Sequence, residues 1–480
     1  MTDSAPNPGN NTAHLAGKKI LVLNWRDVKH TQAGGAEQYM HEISLHWVRA
    51  GAEVTWFTGR ESGQSGEDVI DGIRILRSGG TLALYAHAAL KLLQTGGQFD
   101  AVVDCQNGIP FFSPAFLPRN TPIVQLIHHV HQEQFRTRFS APLAAVGRFL
   151  ESTGAKTVYG RRAIAAVSPS TRLELRKLGF QGPIHVVPNG TIEIPQTVGP
   201  RDPEPTIAVV SRLVPHKRLD LLLGQFAVAA RSVPKLRLEI MGDGPERARL
   251  QHLAMDLGLD DAVTFHGYQP NAVRNALLNR AWLTVSTSAS EGWGCSVIEA
   301  AAWGVPCLAL RVPGIRDSVV DGRTGWLVDT PKEFGTALVA ALETMSRQDV
   351  ARGISAECRD WARSFTWERS SELLAGVLLE EGLRLRGRSD DANAHSDMST
   401  LVSFAGPAGT GLRNAMRPTD ELAEHGNHVS VLMKGKDEFE AFAVMRRLGV
   451  VQAELRPAGR SALLAGPGSR FSPADALDAR

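Results

Sequence analysis

The sequence contains few cysteines, and none of them lie close together. Only four occur in 480 residues, and no two have the C-x-x-C spacing. This count and this spacing exclude a scaffold held by several disulfides and a cysteine-rich zinc site. Unpaired cysteines are typical of a reducing compartment, so we expect a cytoplasmic protein.

Long apolar runs and a strong net charge are also absent. No stretch of about 18 apolar residues, the length that spans a bilayer, is present. The polar segment 1–17 lacks the charged-then-apolar profile of a signal peptide. The 52 Lys and Arg residues nearly balance the 50 Asp and Glu residues, which leaves a formal charge of +2. Because nucleic-acid-binding domains are usually strongly basic, we do not expect nucleic acid as a partner.

The sequence does contain short branched apolar segments that alternate with helical patterns. Residues 18–25 are typical of a buried parallel strand, and a glycine loop at 33–37, a helical pattern and a second strand at 53–58 follow. The same alternation restarts at residue 206. Repeated strand–helix–strand units predict an α/β protein with two doubly wound, Rossmann-like domains that face a cleft, followed by a C-terminal extension.

Proline-rich and polar segments suggest the domain boundaries. The expected parts are a disordered lead-in at 1–17, a first domain at 18–190, a proline-spaced linker at 191–205, a second domain at 206–350, helices at 351–386, a hydrophilic linker at 387–399 and the extension at 400–480.

The extension repeats the element order of the first domain. A strand is predicted at 400–406, a loop and helix at 409–424, and a turn and strand at 425–432. This order predicts an incomplete βαβ unit, with a disordered end from residue 454 onward. An accessory extension without any catalytic part is the alternative.

The segment 288–300 has the most informative pattern of charged and glycine residues. A strand ends at Ser286, a glycine-bearing loop follows, and a helix is predicted to begin near Ser296. Free amides at a helix start bind anionic oxygens, and the carboxylates Glu291 and Glu299 are suited to sugar or ribose hydroxyls. On spacing alone, an ordinary strand–loop–helix with a solvated Glu299 explains the pattern equally well.

The same segment resembles the E-x7-E motif of the family-4 retaining glycosyltransferases, which have the GT-B fold. Trp293 stands where Phe is commoner, and the resemblance extends over roughly residues 19–383. It implies that Glu291 contacts the donor sugar and Glu299 the nucleotide ribose. It also implies that four backbone amides lie near the sugar and diphosphate: Gly292, Trp293, Gly294 and Cys295.

A second resemblance concerns the cations. Residues 211–217 are similar to the family's G-R-L-x-x-x-K segment, with Ser in place of the first Gly. The resemblance implies that Arg212 and Lys217 neutralise the leaving diphosphate, which needs positive charge rather than a proton. Without the resemblance, a basic pair of this kind is more typical of a solvated surface.

Further glycines match the family in the same order. Residues 242–245 match its G-x-G-P turn, to which no catalytic role is assigned. Gly267 lies in the segment whose backbone meets the nucleotide base in relatives. Gly34 and Gly35 match the loop between the first strand and first helix, which implies that they cover the diphosphate.

Three histidines, at 128, 129 and 131, are consistent with a metal site, but no Asp or Cys lies nearby in the sequence. The stretch 124–128 resembles the family's strand that ends in a His close to the donor sugar. This resemblance assigns that role to His128, with His129 as the alternative one residue later. Relatives need no bound metal, so no cofactor is expected.

The acceptor side has weaker signals. Asp104, Gln106 and Asn107 follow an earlier strand and are predicted to lie on the acceptor side. The segment 365–368 resembles the family's F-x-W motif, which implies that the helices at 351–386 cross back to the first domain.

The expected function is transfer of a sugar from a nucleotide-sugar donor, with a UDP-sugar favoured, to a hydroxyl of a small-molecule or glycan acceptor. Relatives are thought to react on the front face with retention, and the leaving phosphate takes the acceptor proton. Two alternatives stay open: a GT-B nucleotide-sugar epimerase and a non-catalytic nucleotide-sugar-binding subunit. A peripheral membrane contact and the oligomeric state are also open.

Overall fold

The computed structural model describes residues 11–80, 83–132, 135, 140–386, 399–416, 420–433, 436, 438–450 and 453–458. The chain forms two compact units, a first unit of Met1–Pro188 with Trp367–Arg480 and a second unit of Asn189–Thr366. The predicted crossing segment 351–386 is divided by this boundary. Its first helix stays with the second unit, and only the helix that begins at Trp367 joins the first unit.

A mostly parallel eight-stranded sheet forms the centre of the first unit, in the order β3-β4-β2-β1-β5-β6-β7-β8. The strands are β1 Lys19–Leu23, β2 Glu53–Thr58, β3 Glu67–Ile70, β4 Ile73–Arg77, β5 Ala101–Gln106, β6 Ile123–Ile127, β7 Ile164–Ala166 and β8 Ile184–Val186. The helices between them are α1 Gly35–Arg49, α2 Ala83–Thr95, α3 Ala141–Phe149, α4 Ala155–Tyr159 and α5 Pro169–Lys177. Every residue of β5 and β6 is buried, as expected for parallel strands covered on both faces.

The second unit has two three-stranded parallel sheets, β11-β10-β9 and β12-β13-β14, joined by a parallel bridge between Ile207 and Leu283. Its strands are β9 Thr206–Val210, β10 Arg237–Met241, β11 Val263–Gly267, β12 Thr284–Ser286, β13 Cys307–Leu310 and β14 Gly325–Val328. Its helices are α6 Leu219–Ala230, α7 Arg247–Asp256, α8 Asn271–Arg280, α9 Cys295–Ala302, α10 Ile315–Ser318, α11 Phe334–Ser346 and α12 Gln348–Ala362. The strand order reverses between β9 and β12, and ligands bind at the carboxyl ends of strands on either side of such a reversal. Both units confirm the predicted α/β class.

The proline-spaced segment 191–205 lies on the second unit. The amide of Gly199 donates to Asn279 Oδ1 at 2.9 Å, and the amide of Asp202 donates to the carbonyl of Arg280 at 2.8 Å. The Arg201 guanidinium donates to the carbonyl of Met345 at 3.0 Å. This segment is therefore packed against helix ends, because its backbone and side chains find partners there.

Helix α13, Trp367–Arg386, returns the chain to the first unit. The indole of Trp47 donates to the carbonyl of Ser371 at 3.1 Å, and the amide of Thr12 donates to the Glu372 carboxylate at 3.2 Å. Leu15 is fully buried in a short 3-10 helix. The expectation of disorder is therefore wrong for residues 11–17, because α13 supplies partners that lie far away in the sequence. Residues 1–10 lie outside the described residues.

The extension forms a four-stranded antiparallel sheet in the order β16-β17-β15-β18. Its elements are β15 Ser399–Ala405, α14 Thr410–Ala415, β16 Glu421–His425, β17 His428–Met433, α15 Glu438–Arg447 and β18 Glu454–Ala458. This is a βαββαβ unit in which β17 lies between the two strands of the first βαβ. The prediction of an incomplete copy of the opening parallel unit is therefore wrong.

A two-residue hairpin explains why the extension is not a parallel copy of the opening unit. Gly426 has φ +62° and, with Asn427, joins β16 to β17, so that His425 pairs with His428. The segment 409–424 was expected to be one loop and helix, but its end is a strand. Residues 454–458 pair with β15 where disorder was expected. Residues 387–398 of the predicted linker and the end of the chain after 458 lie outside the described residues.

Two glycines allow the loop after β10 to lie against the loop after β9. A Cβ atom on Gly242 would lie 1.9 Å from the carbonyl oxygen of Ser211, and one on Gly244 would lie 2.3 Å from that of Leu213. Gly242 also has φ +134°, where other residues are strained. The G-x-G-P turn therefore fixes the segment that carries Arg212.

We expect Gly242→Ala to lower the free energy of unfolding by about 2 kcal/mol or more, because it adds both a clash and an unfavourable φ. The matched control is Gly224→Ala inside α6, where an added Cβ meets nothing within 4 Å. This change should raise the free energy of unfolding by up to about 1 kcal/mol, because Ala favours a helix over Gly. Urea unfolding of both variants measures the difference, and equal shifts would contradict the close approach.

Candidate active site

The first pair of predicted site residues in the second unit forms an ion pair. Lys217 ends the 3-10 turn after β9, and its Nζ contacts Glu291 Oε1 in the loop after β12. The same carboxylate oxygen accepts a hydrogen bond from Ser288 Oγ at 2.7 Å. The side chains of Lys217 and Glu291 are only 19% and 17% exposed, so each charge is largely removed from water and depends on the other.

Backbone contacts hold the Glu291 loop in place. The amide of Glu291 donates to the carbonyl of Pro313 at 3.1 Å, and the amide of Ala289 donates to that of His216 at 2.8 Å. A Cβ on Gly314, which has φ +79°, would lie 2.2 Å from the carbonyl oxygen of Glu291. The loops after β9, β12 and β13 therefore meet at one edge of the sheet.

The glycine segment before α9 is closely packed, with both Gly294 and the Trp293 ring buried. Gly294 caps α9, and a Cβ there would lie 2.3 Å from Ser318 Oγ. The ring of Trp293 is 5% exposed and packs edge-on against Phe365 with centroids 5.1 Å apart. The Trp293 side chain therefore stabilises the loop, while the backbone amides of Gly292–Cys295 precede and begin α9. Burial raises the pKa of the Cys295 thiol to about 12, which keeps it protonated.

Glu299 lies one turn into α9, where its carboxylate faces Arg274 Nη1 of α8 at 3.4 Å. Burial raises its pKa, and the Arg274 charge opposes that shift. Arg274 had no signal in the sequence, because it lies on a different helix and matches no motif. Each of the two predicted donor carboxylates thus has a cation beside it.

Arg212 and Gly267 lie at the same edge of the second sheet. Arg212 follows β9 and is exposed, with no hydrogen bond or ion pair from its guanidinium to any described residue. Gly267 ends β11 with φ +69°, and its carbonyl accepts from the amide of Gly242 at 2.8 Å. The structure therefore brings Arg212, Lys217 and Glu291 to the strand-order reversal and places Gly267 two strands away.

In the first unit, Gly34 and Gly35 begin α1. The amide of Gly34 donates to the Glu37 carboxylate at 2.7 Å, and Glu37 is itself buried. This capping interaction fixes the conformation of the glycine loop. Glu37 was not assigned a role in the sequence analysis, although its position three residues after Gly34 is a recognisable capping signal.

His128 directly follows β6. Its ring packs edge-on against Tyr39 with centroids 4.8 Å apart, and the Tyr39 hydroxyl donates to the carbonyl of Val187 at 3.0 Å. Burial and the neighbouring His131 lower the pKa of His128 to about 3, so the ring is neutral at pH 7. His131 instead faces the buried carboxylate of Glu151 at 3.3 Å. Among the described residues, no group of three His, Cys, Asp or Glu side chains is arranged to hold a metal ion.

Two of the predicted acceptor-side residues are internal. Asp104 is fully buried and accepts hydrogen bonds from the amide of Phe111 at 3.2 Å, from Ser113 Oγ at 2.6 Å and from the Tyr159 hydroxyl. Gln106 is 1% exposed. Their side chains point from a central parallel strand toward a covered face, so the prediction that they meet an acceptor is wrong.

Asn107 remains at the edge of the first sheet. It is half-buried, and its Nδ2 donates to Oδ1 of Asn24 at 2.8 Å. Asn24 directly follows β1 and was missed in the sequence analysis. Its position immediately after a central strand was the available signal.

Comparison with known proteins agrees with this architecture. Residues 33–192 match the family described as Glycosyltransferase Family 4, and residues 191–353 match Glycosyl transferases group 1. Sucrose-phosphate synthase from Thermosynechococcus elongatus superposes with a TM-score of 0.60 at 20% identity, over 78% of this chain and 99% of that chain. The chain has the GT-B fold. HepE from Anabaena, solved with UDP and glucose, gives 0.58 at 18% identity, over 76% of this chain and 100% of that one.

Curated relatives match a smaller part of the GT-B chain. A GDP-mannose-dependent alpha-(1-6)-phosphatidylinositol monomannoside mannosyltransferase of Mycolicibacterium smegmatis is 34% identical over 36% of this chain and 48% of the relative. A D-inositol 3-phosphate glycosyltransferase of Mycobacteroides abscessus is 35% identical over 37% of this chain and 39% of the relative. The match thus spans less than half the length of these relatives. No helix among the described segments of this GT-B protein is both long and apolar enough to cross a bilayer.

The lowered pKa of His128 predicts a stability change with pH. The unfolded chain binds a proton below about pH 6.5, whereas the folded ring stays neutral down to pH about 3, so stability falls as the pH falls between these values. From pH 6.5 to 4, wild type should lose up to about 3 kcal/mol more unfolding free energy than His128→Gln. Urea unfolding at both pH values measures this difference in unfolding free energy.

The control His252→Gln, at a side chain that is 74% exposed, should behave as wild type. Equal losses in wild type and His128→Gln would contradict the assignment.

Proposed function

We propose that this GT-B protein transfers a sugar from a nucleotide-sugar donor to an acceptor hydroxyl with retention of the anomeric configuration. The observation that carries the proposal is the Lys217–Glu291 ion pair beside the start of α9, with the exposed guanidinium of Arg212 on the same edge of the sheet. This arrangement supplies cations and amides for a diphosphate and a carboxylate for a sugar within one group of loops.

Donor binding would exchange partners within this group. The diphosphate attracts Lys217 and Arg212, and Glu291 is then available to accept hydrogen bonds from sugar hydroxyls. Ser288 keeps the Glu291 carboxylate in position during the exchange, because it bonds the same oxygen as Lys217. Glu299 would accept from the ribose hydroxyls while Arg274 holds its charge in place.

The proposed chemistry needs positive charge more than a protein nucleophile. As the sugar leaves, negative charge develops on the diphosphate, and Arg212, Lys217 and the α9 amides stabilise it. The departing phosphate oxygen takes the acceptor proton, so no protein base is assigned to that step. His128, neutral at pH 7, can hydrogen-bond a sugar hydroxyl without adding charge. We propose no metal, since the cations of the chain meet the diphosphate.

The donor nucleotide is proposed to be UDP, as expected from the resemblance. A relative whose name specifies GDP-mannose makes GDP the alternative to test. The distinction depends on the base, whereas the diphosphate and sugar contacts proposed above are common to both donors.

We expect Lys217→Ala to lower kcat/KM by about 100-fold or more, because a transition-state charge loses its partner. The matched control is Lys235→Ala, whose side chain is 73% exposed and, within the described part of the chain, pairs only with Glu204 at the surface. That variant should keep kcat/KM within about twofold of wild type, since exposed pairs contribute little. Steady-state assays with thermal melts separate lost turnover from lost folding. Near-normal turnover of Lys217→Ala would contradict the proposed role.

The reaction itself is tested with a donor panel. Thermal shift with UDP- and GDP-sugars selects the stabilising donor, and mass spectrometry detects transfer to a panel of hydroxyl acceptors in the presence of EDTA. NMR of the first-formed product should show the anomeric configuration of the donor.

Inversion, or an absolute need for added metal, would contradict the proposal. Conversion of the donor without any acceptor would instead indicate an epimerase, and binding without any product a non-catalytic subunit.

A further inference from the structure

Two short segments connect the first unit to the second, and they contact each other inside the first unit. The chain leaves the first unit in the outgoing segment, residues 187–189, and comes back in the returning segment, residues 366–370. The hydroxyl of Ser370, near the start of α13, donates to the carbonyl of Pro188 at 2.7 Å. The paths of the two segments are therefore linked.

Tyr39 touches both segments from within the first unit. It lies one turn into α1, after the glycine loop, and it is fully buried. Its hydroxyl donates to the carbonyl of Val187 in the outgoing segment at 3.0 Å. Its ring packs edge-on against Trp367 in the returning segment, with centroids 6.0 Å apart. One side chain thus senses the place where the chain leaves the first unit and the place where it comes back.

The same ring supports the predicted sugar contact. The rings of Tyr39 and His128 lie 4.8 Å apart with an angle of 88° between their planes. Such edge-to-face pairs are directional, so the orientation of one ring restrains the other. His128 also retains some exposed surface, which leaves it able to meet a ligand. The orientation of the His128 ring therefore depends on Tyr39.

The hydroxyl of Tyr39 is the directional part of this arrangement. Burial raises the pKa of the Tyr39 hydroxyl well above its usual value, so it stays protonated and remains a donor. Val187 is fully buried, and a buried carbonyl that loses its donor is costly. The hydroxyl and the outgoing segment are therefore expected to move together rather than to separate when the path of the segment changes.

We propose that Tyr39 is a positioning residue that transmits the paths of the outgoing and returning segments to the ring of His128. The inference rests on the proposed function, in which His128 hydrogen-bonds a sugar hydroxyl, and it adds how that contact is controlled. When either segment shifts, the Tyr39 ring follows its hydroxyl bond or its contact with Trp367, and His128 follows Tyr39. The contact with the sugar is then made fully only for one path of the chain between the units.

A double-mutant cycle tests this role with wild type, Tyr39→Phe, His128→Gln and the double variant. Tyr39→Phe keeps the ring and removes its anchor, so kcat should fall about tenfold because the sugar contact is misplaced. Donor KM should stay within about twofold, since most of the proposed donor contacts lie in the second unit. His128→Gln should lower kcat at least as much. The double variant should match His128→Gln within about twofold, because Tyr39 acts through His128.

The matched control is Tyr85→Phe, which also removes a hydroxyl bond to a carbonyl in the first unit. Tyr85 donates to the carbonyl of Ile109 at 3.2 Å, and its loss should leave kcat within about twofold of wild type. Thermal melts show that every variant is folded. An unchanged kcat in Tyr39→Phe would overturn the inference. An equal fall in kcat with and without His128 would also overturn it, because the effect of Tyr39 would then be one of general packing.

Histidine-selective 13C labelling gives a readout that needs no turnover. The ring signal of His128, assigned by its loss in His128→Gln, should shift in Tyr39→Phe. It should also shift in Ser370→Ala, which loosens the link between the segments without removing any ring, and it should stay in place in Tyr85→Phe. An unmoved signal in either of the first two variants would overturn the inference. Failure of the proposed function looks different, because no donor would be turned over while the His128 signal still responds to Tyr39→Phe.

Discussion

The ion pair between Lys217 and Glu291 determines how the second unit presents its polar edge. Both side chains are mostly buried, and a lone charge in either position would be costly. Their pairing requires the loops after β9 and β12 to approach closely. Glycines at 242 and 244 let the loop after β10 pack against the loop after β9, and Gly314 lets the loop after β13 pack against the Glu291 loop, since a side chain at any of them would collide with backbone. The positions of these loops and the neutralisation of the two charges therefore depend on each other.

Carboxylates organise loops in both units, but in two different ways. Asp104 is enclosed, and its oxygens are used by Ser113, Tyr159 and a backbone amide of the following loop. Glu291 is reached by one lysine and one serine, and it retains exposed surface. The first carboxylate holds a loop permanently. The second can release its partner when another anion attracts the lysine, which is the property that a binding site needs.

The sequence was sufficient where the signal is local. Apolar strands such as β1, the helix start at α9 and the spacing of Glu291 from Glu299 can be read from neighbouring residues, and the α/β architecture followed from their repetition. It was insufficient where partners are distant. Arg274 reaches Glu299 from another helix, Asp104 is enclosed by Ser113 and Tyr159 from later elements, and Asn24 accepts a hydrogen bond from Asn107 at the end of another strand. The prediction for the extension was wrong because the hairpin between β16 and β17 makes these strands antiparallel. Hydrophobic periodicity indicates that a strand is present, but it does not indicate which strands pair or in which direction.

The division of the chain has a consequence for its synthesis. The second unit is one continuous segment, whereas the first unit needs residues from both sides of it. Trp47 and Thr12 meet their partners on α13, more than 300 residues further along the chain. During translation the eight-stranded sheet can therefore form early, but the contacts that enclose α1 and the chain start must wait until the second unit has been made. The last helix of the GT-B core, made after the second unit, therefore completes the first unit.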